Sequence, residues 1–123
     1  MIRFLTVVAA LLVTPFAAQT ASAAPANPSA AFGNTVLIVD PDGRSRKIWL
    51  QADGRWTGLS RRGLDLAGRW TVKGDRVCLT QSKPRLPGSL CNAFPTAPGL
   101  TLSAKDPGGK RVQLKLAKGI IGK

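Results

Sequence analysis

The architecture is set out in one run, Gly68-Arg69-Trp70-Thr71-Val72-Lys73-Gly74-Asp75-Arg76-Val77-Cys78-Leu79. In an extended chain Trp70 and Val72 fall on one face and Arg69, Thr71 and Lys73 on the other, because successive strand side chains point to opposite sides. Lys73-Gly74-Asp75-Arg76 has the chemistry of a tight hairpin turn. Beyond it the alternation resumes, with Val77 and Leu79 facing inward and Cys78 outward. Apolar residues here return at every second position, which is the period of a half-buried strand. The stretch therefore reads as an antiparallel hairpin with one apolar and one basic face.

The same pattern extends in both directions. Alternating runs separated by Gly and Pro turns mark strands at Thr35–Val39, Arg46–Gln51, Arg55–Leu59, Gly68–Lys73, Arg76–Gln81, Ser89–Phe94, Leu100–Ala104 and Lys110–Ala117, with Leu64-Asp65-Leu66 as a further short one. Ala52-Asp53-Gly54-Arg55 is a second tight turn. In the last strand Val112, Leu114 and Leu116 oppose Arg111, Gln113 and Lys115. The expected fold is all-β: a single small antiparallel β-meander or barrel of about eight short strands with one disulfide. Gly54-Arg55-Trp56-Thr57 recurs as Gly68-Arg69-Trp70-Thr71, which predicts equivalent core places for Trp56 and Trp70. The β domain spans residues 35–118. A small, Pro-interrupted flexible lead, 24–34, precedes it and a short tail, 119–123, follows.

Residues 1–23 read as a signal peptide. Arg3 supplies a positive start, Phe4 to Ala18 is apolar apart from Thr6 and Thr14, and Ala21-Ser22-Ala23 offers small side chains for cleavage before Ala24. The apolar run is too short for a lasting membrane span, and no cysteine follows the cut to carry a lipid. The expectation is a periplasmic or secreted protein. Cys78 and Cys91 are the only cysteines, and in an oxidising compartment they read as one structural disulfide.

The absences bound the chemistry. The chain has no His, Glu or Tyr, which removes His-assisted nucleophiles and the common zinc sites. All of its Asp residues lie in or near Gly- or Pro-containing turns, where a carboxylate characteristically bonds its own backbone. A non-enzymatic protein without cofactor or metal is expected.

The formal net charge is +12, and only Arg3 of the basic residues lies in the export segment. Arg44, Arg46, Lys47, Arg61, Arg62, Lys110, Arg111 and Lys115 are candidate polyanion-binding residues, directed at anionic envelope polymers or lipid headgroups. The bland alternative is a solvated charged surface. No recognition helix is present, so specific nucleic-acid binding is not expected. In Lys47-Ile48-Trp49-Leu50-Gln51 a packing role for Trp49 is preferred. The sharper alternative is an outward Trp beside Lys47, able to stack on a sugar or base.

Through Asp53-Gly54-Arg55-Trp56-Thr57-Gly58, Gly68-Arg69-Trp70-Thr71-Val72-Lys73-Gly74, Cys78-Leu79 and Cys91, the region from Gly33 to Phe94 resembles a group of small, exported, uncharacterised bacterial β proteins. The resemblance implies a disulfide-bonded meander or barrel and carries no activity. Gly68-Arg69-Trp70 with Cys78-Leu79-Thr80 is also similar to the outline of small periplasmic metalloprotease inhibitors. That likeness implies an alternative function, inhibition of an exported protease, with Ala24 to Ser29 entering its cleft.

Overall fold

The computed structural model describes residues 25–106 and 108–122, so residues 1–23, expected as a signal peptide, lie outside the described residues. Eight strands form one antiparallel sheet: β1 (Thr35–Val39), β2 (Ser45–Leu50), β3 (Arg55–Leu59), β4 (Asp65–Lys73), β5 (Arg76–Lys83), β6 (Leu90–Asn92), β7 (Thr101–Lys105) and β8 (Arg111–Ala117). Their order is β6-β5-β4-β3-β2-β1-β8-β7. Every chain-adjacent pair except β6 and β7 is a hairpin, and β8 returns to pair with β1. The result is an up-and-down barrel that is nearly closed, with a single seam between β6 and β7. At that seam the Asn92 side chain imitates a missing strand pair: its Nδ2 donates to the Lys105 carbonyl (3.1 Å), and its Oδ1 accepts from the Lys105 N–H (3.4 Å).

Turn chemistry sets the hairpin ends. In three turns an aspartate Oδ1 accepts a backbone N–H of its own loop: Asp42 from Arg44, Asp53 from Arg55 and Asp106 from Lys110. Gly43, Gly54 and Gly74 supply the left-handed backbone that these tight turns need. Cys78 and Cys91 stand directly opposite each other on β5 and β6 and are joined as a disulfide on the outer face, while Val77 and Leu79 point into the core. Closing a segment of 13 residues contributes about 3 kcal/mol in the chain-entropy treatment.

The core is built mainly from inward residues of β1, β2, β3, β5 and β8, among them Val36, Ile38, Ile48, Leu50, Trp56, Val77, Leu79, Leu114 and Leu116, while β4, the longest strand, adds only the partly buried Leu66 and Trp70. Trp56 stands opposite Gly68, and its Nε1 reaches across β4 to the carbonyls of Arg69 (3.2 Å) and Thr80 (3.0 Å). A Cβ on Gly68 would collide with both the Thr80 carbonyl and the indole nitrogen. The β4–β5 register slips beside this glycine: Ala67 faces Lys83 but Gly68 faces Gln81, leaving Ser82 as the extra residue of a bulge. Leu64-Asp65-Leu66 and Gly68–Lys73, expected as separate runs, thereby join across Ala67: Asp65 and Leu66 enter β4, and Leu64 stays in the loop before it.

The two Trp of the sequence echo are not equivalent. Because β3 and β4 run antiparallel, Arg55 pairs with Arg69 and Trp56 with Gly68, which displaces Trp70 toward the end of the barrel. There Trp70 is half-buried, donates to the Gln51 carbonyl (2.7 Å) and packs against Phe32 with ring centroids 5.7 Å apart. Val72, beside the hairpin tip, is exposed, whereas its partner Val77 is fully buried.

The segment expected as a flexible lead instead caps this end. Asn27 caps a single 3-10 turn, Pro28–Ala31, in which Pro28 and Ala31 are buried. The Ala26 N–H bonds the Gly74 carbonyl (2.8 Å). The tail is docked as well. The Thr35 hydroxyl donates to the Gly119 carbonyl (2.8 Å) and accepts from the Ile121 N–H (2.9 Å) and from Trp49 Nε1 (3.0 Å). One hydroxyl thus uses its donor and both lone pairs. Covered on its outer side by this tail, β2 is buried at Ile48, Trp49 and Leu50 in succession, which breaks the period of two.

Gly68→Ala is expected to destabilise the protein by at least about 2 kcal/mol in urea unfolding, since neither a carbonyl nor the indole can yield without losing its bonds. Thr35→Val keeps the shape but strands three polar partners. It should cost about 2 kcal/mol or more and speed proteolysis of the C-terminal tail.

Candidate functional site

An up-and-down barrel sends alternate loops to opposite ends. The loops after β1, β3, β5 and β7, at residues 40–44, 60–64, 84–89 and 106–110, therefore share the end away from the 3-10 cap. They and the adjoining strand ends carry Arg44, Arg46, Arg61, Arg62, Lys83, Arg85, Lys105, Lys110 and Arg111, against Asp40, Asp42, Asp65 and Asp106. Six of the eight candidate polyanion-binding residues thus converge at one mouth. Lys47 and Lys115 do not: they flank Leu37 on the barrel's outer wall, and Gly122 of the tail lies against the Lys47 amino group.

Asp40 organises the mouth. Its carboxylate, 6% exposed, meets Arg61 Nη1 at 3.1 Å and Arg46 Nη2 at 3.6 Å, while Arg61 Nη2 also bonds Asp42 Oδ2 at 2.5 Å. The Arg44 backbone N–H first, and then the Arg61 guanidinium, hold the Asp42 carboxyl below the ordinary carboxylate value. With its folded-state value depressed, Asp42 supports the loop above the ordinary carboxylate range, and that support is lost as the pH falls through its depressed value.

Two cavities meet here and share Arg46 and Asp106. One, of about 330 Å³, is bordered by Asp40, Ser60, Arg61, Arg62 and Lys110. The other, of about 560 Å³, enters the barrel between Ile38, Ile48, Trp56, Leu66, Leu79 and the Leu86–Leu90 loop. Sequence reasoning missed both the cavity and the role of Asp40, whose Asp-Pro-Asp-Gly context signals a turn and nothing more. Strand parity was the available signal for the mouth, because the basic loops are alternate ones.

Trp49 takes the preferred packing role, and its alternative as an aromatic contact residue is corrected. It lies on the outer face as the alternation required, but is only 5% exposed and hydrogen-bonded to Thr35, so it presents no ring for stacking. Among the described residues no group of three or more His, Cys, Asp or Glu is placed to hold a metal. The segment on which the inhibitor alternative depends is engaged by its own barrel from Ala26 onward. Comparison with protein families, with curated proteins and with solved structures finds no match for this chain.

Asp40→Asn removes the charge that pairs two guanidinium groups at once. The expected outcome is a loss of about 1 to 3 kcal/mol in chemical denaturation, smaller at high salt.

Proposed function

We propose that this is an exported, non-enzymatic protein of the cell envelope that binds anionic polymers or lipid headgroups at the cationic mouth of its barrel. Carrying that proposal is the convergence of Arg44, Arg46, Arg61, Arg62, Lys110 and Arg111 around adjoining cavities at one end. A merely solvated charged surface needs no such gathering. The signal-like composition of residues 1–23 supports export, as does a disulfide that a reducing cytosol would disfavour. Among the described residues no helix is long and apolar enough to cross a membrane.

The non-enzymatic reading draws on the engagement of four of the six Asp within the fold. Asp42, Asp53 and Asp106 are spent on turn backbone and Asp40 on two arginines. Binding by Arg and Lys would be dominated by charge neutralisation and would weaken steeply with salt. Without histidine, its side chains bring no ordinary titration between about pH 5 and 7.

Titration with a short polyphosphate at two salt concentrations tests the proposal. Arg61→Ala/Arg62→Ala/Lys110→Ala should lower affinity by about tenfold or more and flatten the salt dependence. Lys47→Ala/Arg69→Ala/Lys115→Ala removes the same charge from the barrel wall and should change affinity less than about threefold. Equal losses in the two variants would show that total charge, not the mouth, sets the affinity.

A further inference from the structure

We infer that the mouth admits a single-chain anionic amphiphile, its alkyl chain in the barrel cavity and its carboxylate or phosphate head beside Arg46. This rests on the anion-binding function proposed above and names the ligand class. The cavity, about 560 Å³, lies within the size range of small-molecule sites. Its inner wall is Ile38, Ile48, Trp56, Leu66 and Leu79, so a bare phosphate polymer would leave that space unused.

Arg46 stands at the boundary between apolar wall and cationic rim. Its Nε is buried and has no hydrogen-bond partner, and its nearest carboxylate contact, Asp40 at 3.6 Å, exceeds hydrogen-bond length. A buried guanidinium donor without a partner is costly, and an anionic head placed beside it would satisfy it. Arg61, Arg62 and Lys110 border the adjoining cavity and extend the positive field around that head. Leu86 lines the cavity yet is 49% exposed, giving an entering chain an apolar lip. A neutral apolar ligand would fill the same wall but leave Arg46 unanswered.

Calorimetric titration of the exported, disulfide-bonded protein with dodecyl phosphate and dodecanoate below their micelle concentrations provides the test. Ethyl phosphate supplies a head without a chain, dodecyl maltoside a chain without charge, and short polyphosphate reports the mouth alone. Dodecyl phosphate and dodecanoate should each bind as one equivalent, with dodecyl phosphate about tenfold or more tighter than ethyl phosphate or dodecyl maltoside. Leu66→Trp, which fills the cavity, should abolish dodecyl phosphate binding and leave polyphosphate binding intact. Arg46→Gln should weaken dodecyl phosphate about tenfold without affecting dodecyl maltoside, and decides the matter if Leu66→Trp does not fold. Dodecyl phosphate no tighter than ethyl phosphate, with polyphosphate still bound, would overturn the amphiphile and leave the anion-binding mouth standing. Dodecyl maltoside as tight as dodecyl phosphate would overturn the anionic head. Loss of polyphosphate binding as well would overturn both proposals.

Discussion

Trp56 can lie across β4 only because Gly68 has no side chain, and much of the barrel follows from that one contact. The indole fills the space opposite the glycine while its nitrogen bonds carbonyls contributed by β4 and β5. Three consecutive strands are thereby held in one register at the point where β4 and β5 slip past each other by a residue. A bulge increases local twist, and the twist helps a sheet this small curve toward closure. Trp56 is also part of the inner wall of the cavity, so the residue that fixes the strands shapes the space between them.

Charge is handled at the mouth by economy of counter-ions. A chain this basic repels itself, and gathering its cations at one end intensifies the effect. Asp40 offsets part of it by facing two arginines from a position nearly sealed from water, where the interaction is less screened than on an open surface. The opposite end carries no comparable burden. There the 3-10 turn, Phe32 and Trp70 close the barrel with apolar contacts, so the two ends differ in both polarity and access.

Much of the architecture is legible in the sequence because turn chemistry is local. β1 and β3 run as the alternation and the Asp-Gly turns require, and Cys78 and Cys91 meet on the outer face as their neighbours imply. What escaped is non-local. For Trp49 the packing role was legible but its partners were not: Thr35, and Gly119 and Ile121 more than eighty residues beyond that threonine, leave no mark on the strand itself. The union of Leu66 with Gly68–Lys73 needs a bulge in the neighbouring strand. The lead looks unstructured because its composition is small and Pro-rich, yet it lies against an apolar barrel end that only the folded sheet creates. For the candidate site, the basic residues and, through strand parity, their shared end were legible, whereas the cavity and the pairing of Asp40 with Arg46 and Arg61 were not, since those depend on how the closed sheet packs.

The seam at Asn92 has a consequence for how copies of this protein behave toward one another. A sheet margin with unpaired backbone groups is a template on which another chain can add, and runaway addition of that kind builds fibrils. Here both margins face inward across a narrow gap, one of them only three residues long, and a side-chain amide occupies the donor and acceptor of Lys105 that a foreign strand would seek. At Lys105, the seam thus presents an incoming strand with a donor and an acceptor that are already engaged.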